Sequence, residues 1–177
     1  MKNQFESRTD YLPPFHQNTL QKIENKEVLI GVVGLGYVGL PLCREFSGRS
    51  CRVLGFDTDP AKIEKLKNGK TYIDHIPDSQ IERMVSDGFF DATRDFSRLD
   101  EPDIILIAVP TPLDKMRQPD LKYVVGSCMD IAAKLRKGQL VVLESTTYPG
   151  TTKEVMLPIL EEGSGLKAGV DLSLIHI

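Results

Sequence analysis

Short apolar runs alternate with longer amphipathic stretches along most of this chain. Five of the runs predict strands, at 28–33, 52–57, 89–93, 103–109 and 139–144, and the stretches after them predict helices at 37–48, 60–68, 78–87, 120–137 and 151–162. The run at 103–109, DIILIAV, has no polar alternation, which is typical of a strand buried on both faces of a parallel sheet. Strands that alternate with helices therefore predict an α/β fold, a doubly wound parallel sheet in the order 3-2-1-4-5.

The first predicted strand leads into a glycine-rich turn and then into a helix. Gly34, Gly36 and Gly39 give the spacing G-x-G-x-x-G, in which the first glycine allows a sharp turn, the second a close approach of pyrophosphate, and the third close helix–strand packing. A glycine turn can also be purely steric, and an acid can simply end a strand in solvent. Asp57, however, ends the second predicted strand 18 residues after Gly39, where a ribose-binding acid is expected. Together these features predict a Rossmann-like domain that binds a dinucleotide.

Composition narrows the class of protein. At 177 residues, with 41% hydrophobic and 27% charged residues, the sequence is typical of one soluble globular domain. A net charge of −3 provides no broad basic surface for nucleic acid or an anionic membrane, and no apolar run approaches a membrane span. The three cysteines lack C-x-x-C spacing, which favours a reducing cytoplasm over a disulfide framework. No cluster with metal-ligand spacing is present, so no metal is predicted.

Two strand-end loops carry hydroxyl groups. Thr111 lies between two prolines after the strand at 103–109, and Ser145, Thr146 and Thr147 follow the strand at 139–144. In open α/β sheets, ligands bind outside the carboxyl ends of the strands. Serine, threonine and proline are also ordinary turn residues. Spacing alone leaves both interpretations open.

Five phrases, in order along the chain, are similar to those of a known family: GLGYVGLPL (34–42), GFDTDPAKI (55–63), VPTPLD (109–114), PDL (119–121) and LESTTYPGTT (143–152). They resemble the UDP-glucose/GDP-mannose dehydrogenases, nearest the bacterial UDP-N-acetylglucosamine 6-dehydrogenase branch. The resemblance implies oxidation of a nucleotide sugar's C6 hydroxymethyl to a carboxylate, with two NAD per sugar. It also implies an N-terminal NAD-binding domain, a central helix and a C-terminal sugar-binding domain that carries a nucleophilic cysteine.

The resemblance implies a role for individual residues. The pyrophosphate loop would consist of Gly34, Gly36, Tyr37, Val38 and Gly39. Asp57 would bind the adenosine ribose, and Lys62 would reach the adenosine side. Near the nicotinamide, the implied cofactor contacts are Thr111, Ser145 and Thr146. Thr146 is also the implied catalytic residue, since the matching threonine helps to hold a catalytic water. Tyr37 and Val38 could instead pack at a helix start, and Lys62 could lie on a solvated helix face.

The ends of the chain fall outside the resemblance. Residues 1–27 are predicted to form a polar arm with a short helix at 19–26, and 28–171 to form the NAD-binding domain. Residues 172–177 do not match the family pattern and are expected to lie outside the domain, as a truncation or cloning junction. The family's central helix and sugar-binding domain are expected to be absent from this chain. Cys43, Cys51 and Cys128 fall where buried packing is expected, so this chain alone should bind NAD weakly and turn over nothing.

Two alternatives stay open from the sequence: a free-standing NAD-binding sensing module, and the NAD-binding domain of a hydroxyacid or 6-phosphogluconate-type dehydrogenase. The expected partner is a nucleotide sugar, held mostly by the missing domain, and the larger protein is expected to be a homo-oligomer. NAD should be preferred over NADP, because Asp57 would repel a 2′-phosphate and Thr58 is not an arginine that could accept one. Lys62 could soften this preference.

Overall fold

The computed structural model describes residues 14–113 and 115–176. Six strands form one parallel sheet in the order β3-β2-β1-β4-β5-β6. Their bounds are β1 (Leu29–Val33), β2 (Arg52–Phe56), β3 (Phe90–Thr93), β4 (Ile104–Ile107), β5 (Leu140–Leu143) and β6 (Ser173–His176). The predicted order 3-2-1-4-5 is therefore confirmed, with one further strand. Residues 1–13 of the predicted arm lie outside the described residues.

Helical segments lie between successive strands, and one helix precedes β1. They are α1 (Pro14–Glu24), α2 (Gly39–Gly48), α3 (Pro60–Lys67), α4 (Asp78–Ser86), α5 (Lys122–Ala132) and α6 (Leu157–Ser164). A 3₁₀ helix spans Phe96–Asp100, and a π-helical turn at Thr152–Met156 leads into α6. Asp59 caps α3, since its side chain accepts a hydrogen bond from the Ala61 N–H at 2.8 Å.

The core lies on both faces of the sheet. On β4, Leu106 belongs to a buried cluster completed by α2, α3 and α4, whereas Ile105 and Ile107 belong to a second cluster completed by α5 and α6. Successive side chains of a strand point to opposite faces. Both faces of β4 are therefore dry, which explains why its sequence is apolar without alternation.

The structure corrects the prediction for the C-terminal residues. Residues 172–177 were expected to lie outside the domain, but Ser173–His176 pairs with β5 in parallel, with Ser173 opposite Leu140. Leu172 is fully buried, and Leu174 packs against the second core cluster. Pairing also satisfies main-chain groups that β5 would otherwise expose as an edge strand. These residues therefore extend the sheet by one strand.

Asp103 ties the first helix to the sheet. Its carboxylate accepts hydrogen bonds from Lys22 Nζ at 2.7 Å, Arg136 Nη2 at 2.9 Å and the Leu29 N–H at 3.1 Å. Burial by itself would raise the pKa of Asp103, but these donors outweigh burial and lower it. The carboxylate thus stays ionised and holds α1 at the amino edge of the sheet, away from the ends where ligands bind.

Candidate functional site

The glycine-rich turn between β1 and α2 is closely fitted. Gly34 has a φ of +93°, and a Cβ there would lie 2.7 Å from the Ala108 oxygen. A Cβ on Gly39 would lie 1.8 Å from the Gly34 oxygen, so α2 packs against the turn only because both residues are glycine. Gly36 differs, because nothing lies within 4 Å of its Cβ position. Its main chain therefore faces open space, which a ligand can approach closely.

Asp57 follows β2 and organises this turn. Its Oδ2 accepts hydrogen bonds from the Leu35 N–H and from Lys62 Nζ, both at 2.9 Å, and its Oδ1 accepts from the Asp59 N–H at 3.0 Å. The residue is only 8% exposed. A carboxylate offers about four lone-pair positions. Three are occupied by the protein, which leaves acceptor capacity for one further hydroxyl.

Tyr72 holds the glycine turn from the other side. Its hydroxyl donates to the Leu35 oxygen, and its ring centroid lies 5.7 Å from Lys62 Nζ. Burial, followed by the negative charge of Asp57, raises the pKa of Tyr72, so the hydroxyl remains a donor. The main chain of Leu35 is therefore held on both sides of its Cα, at the N–H and at the oxygen. Sequence reasoning missed Tyr72, because it lies in an irregular segment between α3 and α4 with no motif around it.

Two chambers open at the carboxyl edge of the sheet. The first, called the Asp57 chamber, has a volume of about 370 Å³ and is lined by residues that include Gly34, Asp57, Thr58, Tyr123 and Asp130. The second, called the Thr146 chamber, has a volume of about 440 Å³ and is lined by residues that include Gly36, Tyr72, Thr111, Ser145 and Thr146. Lys62, Val109 and Pro110 line both chambers. The chambers are thus neighbours, on either side of the Lys62 side chain.

A larger groove of about 800 Å³ lies at the opposite edge of the sheet, where Ser50 and Phe89 precede β2 and β3. Its volume exceeds that of either chamber, but it is formed by the amino ends of the strands. Parallel sheets bind ligands at the carboxyl ends, because the helix N-termini and loop amides converge there. The two chambers are therefore the candidate cofactor site.

The hydroxyls predicted from the two strand-end loops come together in the structure. Thr111 Oγ1 donates to the main-chain oxygen of Thr146 at 2.7 Å, and Ser145 Oγ donates to the Val109 oxygen at 2.8 Å. Ser145 is buried, so its hydroxyl links the two loops rather than facing the chamber freely. Thr146 is exposed and lines the chamber. The structure thus joins these three residues at one site and leaves Thr146 as the hydroxyl most accessible to a ligand.

Of the other predicted cofactor contacts, some line a chamber and one does not. Tyr37 and Val38 are 76% and 51% exposed and line the Thr146 chamber, with the Tyr37 ring stacked 6.5 Å from the ring of His75. Gly39 lines neither chamber; its role in the structure is to let α2 approach the turn. Cofactor contact by the predicted residues stays a prediction, whereas their placement around the two chambers is a property of the structure.

Other kinds of site find little support in the described residues. They contain no group of three histidine, cysteine, aspartate or glutamate side chains placed to hold a metal ion. None of the described helices combines the length and the apolar character needed to span a bilayer. Burial raises the pKa of the Cys43 thiol and raises that of Cys128 to about 12, so neither is a thiolate near neutral pH.

Known proteins resemble this chain over most of its length. Residues 28–177 match the model of the UDP-glucose/GDP-mannose dehydrogenase family, NAD binding domain. The UDP-N-acetyl-D-glucosamine 6-dehydrogenase of Pseudomonas aeruginosa is 38% identical over 146 residues, which cover 82% of this chain and 34% of that protein. The enzyme of the same name from Salmonella typhi is 39% identical over 145 residues, 82% of this chain and 33% of that protein.

Solved structures agree with the sequence relatives. A ternary complex of GDP-mannose dehydrogenase from Pseudomonas aeruginosa superposes with a TM-score of 0.79 at 33% identity, covering 82% of this chain and 34% of that one. The NDP-N-acetyl-D-galactosaminuronic acid dehydrogenase from Methanosarcina mazei gives 0.78 at 37% identity, covering 89% and 36%. The chain spans about a third of the length of these relatives. With the resemblance of the five phrases thus confirmed, the chain belongs to the UDP-glucose/GDP-mannose dehydrogenase family, of which it carries the NAD-binding domain.

Proposed function

We propose that this chain is the NAD-binding part of a nucleotide-sugar 6-dehydrogenase, with a UDP-N-acetylhexosamine as substrate. The observation that carries the proposal is the pair of chambers that meet at Lys62, directly beside the open main chain of Gly36. A dinucleotide has two nucleoside halves joined by a pyrophosphate, and this arrangement provides two spaces joined at a glycine turn. The relatives named as UDP-N-acetyl-D-glucosamine 6-dehydrogenases support the sugar class.

The residues present fit NAD. The Asp57 carboxylate keeps acceptor capacity for a ribose hydroxyl, and Gly36 leaves space for a pyrophosphate against its main chain. The start of α2 adds helix N–H groups and the positive end of the helix dipole at that point. The Asp57 chamber would hold the adenosine half and the Thr146 chamber the nicotinamide half. NAD would supply the hydride acceptor for an alcohol oxidation. The side chains of this domain would bind NAD and orient it.

Thr146 is the residue to which we assign a catalytic role. Its side chain is exposed within the chamber wall, and its main chain is fixed by the hydrogen bond from Thr111. A threonine hydroxyl both donates and accepts, so it can orient a water molecule toward a reacting carbon. Fixing the main chain limits the positions that this hydroxyl can take, as positioning of a reactive water requires.

The remaining features of the larger protein belong to the same proposal. We assign residues 28–176 to the NAD-binding domain, since Ser173–His176 is a strand of its sheet. We propose that the sugar is held mostly by a domain outside this chain, and we expect a homo-oligomer. We place the protein in the cytoplasm, because Cys43, Cys51 and Cys128 are all free thiols, as reducing compartments favour. Light scattering of the larger protein measures the oligomeric state.

The test is a substrate screen on the product of the complete gene. NADH formation is followed by absorbance with UDP-N-acetylglucosamine, UDP-N-acetylgalactosamine, UDP-glucose and GDP-mannose. We expect two NADH per sugar and a carboxylate product, with a UDP-N-acetylhexosamine turned over fastest. NADH formation with none of these sugars would contradict the proposal. The 177-residue chain by itself should form no NADH with any of them, and steady turnover by it would show that a nucleophile lies within this chain.

A further inference from the structure

Arg94 brings a guanidinium to the adenosine end of the site from a neighbouring strand. It follows β3, and its Nε donates to the main-chain oxygen of Thr58 at 3.2 Å. Thr58 is the residue immediately after Asp57 and lines the Asp57 chamber. The two strand ends are also tied together by the Asp57 N–H, which donates to the Thr93 oxygen at 3.2 Å. Arg94 is not among the lining residues of the Asp57 chamber, but its guanidinium is hydrogen-bonded to the main chain at position 58, where the sequence has no arginine.

The charge of Arg94 is available for a ligand. The described residues offer it no carboxylate, whereas Arg98, in the same segment, is paired with Asp91 and Glu101. Arg94 is exposed, and its Nη groups make no hydrogen bond with the described residues. A guanidinium carries five N–H donors in a fork that matches phosphate oxygens. Only Nε is engaged, so the outer part of the fork remains open.

We infer that Arg94 is a cofactor-specificity residue, which accepts a phosphate at the ribose 2′ position and so lets this domain tolerate NADP. The inference rests on the proposed function, since it needs adenosine in the Asp57 chamber. Asp57 repels a 2′-phosphate, whereas Arg94, which is bonded to the Thr58 oxygen, and Lys62, which is bonded to Asp57, attract it. NAD remains the preferred cofactor, but the ratio of NAD to NADP affinity is smaller than it would be with Asp57 alone.

The test uses ligands that carry only the adenosine half. The chain is titrated calorimetrically with AMP and with adenosine 2′,5′-bisphosphate (2′,5′-ADP), which differ by the 2′-phosphate alone. Arg94→Gln should raise the Kd for 2′,5′-ADP about 10- to 100-fold, the loss of one or two charge-assisted hydrogen bonds, and that for AMP less than about threefold. Arg94→Lys keeps the charge but not the fork, and should fall between the wild type and Arg94→Gln.

Arg49→Gln is the matched control. Arg49 lies at the end of α2 in the groove at the opposite edge of the sheet, and the described residues give it no ion pair. The Arg49→Gln variant loses the same charge and should leave the Kd for both ligands unchanged. Equal Kd changes for the two ligands, or no change for either, would overturn the inference, as would a wild type that binds AMP but not 2′,5′-ADP. A wild type that binds neither AMP nor NAD would overturn the proposed function as well.

Discussion

Replacing Tyr72 with phenylalanine tests whether the glycine turn is held ready for a pyrophosphate. The change deletes the hydroxyl that donates to the Leu35 oxygen and leaves the ring beside Lys62 in place. The Leu35–Gly36 peptide then loses this anchor, and the main chain of Leu35 keeps only the hydrogen bond from its N–H to Asp57 at 2.9 Å. The turn should therefore become more mobile while the surrounding core is unchanged.

The magnitude follows from one neutral hydrogen bond. Its net contribution is about 0.5–1.5 kcal/mol, because Tyr72 borders an open chamber where water can replace the lost hydroxyl as a partner of the Leu35 oxygen. For a chain of this size, that predicts a fall in Tm of about 1–6 °C. Transferred to binding, the same free energy raises the Kd for NAD about two- to tenfold.

Both quantities are measurable on one preparation, Tm by calorimetric melting and Kd by titration with NAD. Tyr148→Phe is the matched control, because it removes the same atom from a residue that lines neither chamber and whose hydroxyl makes no hydrogen bond within the described residues. We expect its Kd to equal that of the wild type. If Tyr72→Phe also leaves both Tm and Kd unchanged, Tyr72 does not hold the turn and the reasoning is refuted.

Four further substitutions test other residues of the domain. Asp57→Ala should narrow the ratio of NAD to NADP affinity measured by calorimetry, because the carboxylate repels a 2′-phosphate; an unchanged ratio would contradict this. Thr151→Val should lower the free energy of unfolding by about 0.5–1.5 kcal/mol, because Oγ1 of this fully buried residue donates to the Tyr148 oxygen at 2.8 Å. Thr152→Val should hold or raise Tm, since its buried Oγ1 has no partner among the described residues; equal shifts in the two melting curves would refute the comparison. In the larger enzyme, Thr146→Ala should lower kcat about 10- to 10³-fold with NAD affinity changed less than about tenfold, and an unchanged kcat beside a lowered Tm would reject the catalytic role.

The strands and the glycine turn were predictable because each depends on local sequence. An apolar run such as 103–109 has to be buried on both faces, and only glycine fits at Gly34 and Gly39. Helix ends were less predictable. The helix predicted to reach Lys137 ends at Ala132, and Arg136, beyond its end, donates to the oxygens of Asp100 and Pro102 and to the Asp103 carboxylate.

The helix predicted from residue 151 shows the same kind of limit. Its first turn widens into the π-helical turn at Thr152–Met156, and Pro158 follows within the first turn of α6. A proline lacks the N–H that would bond to the oxygen four residues earlier, and its ring crowds that oxygen. The proline is visible in the sequence. The π-helical turn that accommodates it is not, since it forms where Met156 and Leu160 are buried in the core.

At the site, the residues that follow strands were predictable and the residues that reach in from elsewhere were not. Thr111 and Thr146 meet because β4 and β5 are parallel neighbours whose carboxyl ends share one edge. Tyr72 contacts a residue 37 positions away and Arg94 one 36 positions away, through a loop and a strand end with no motif. Such contacts follow from the packed structure and leave no local pattern in the sequence.

The central claim is that NAD lies across the carboxyl edge of this sheet, with its adenosine beside Asp57. A crystal structure of the chain grown with NAD tests it most directly. The account predicts the adenosine ribose within hydrogen-bond distance of Asp57, the pyrophosphate against the main chain of Gly36, and the nicotinamide in the Thr146 chamber. NAD bound in the groove at the opposite edge, or bound with its two halves exchanged between the chambers, would contradict it.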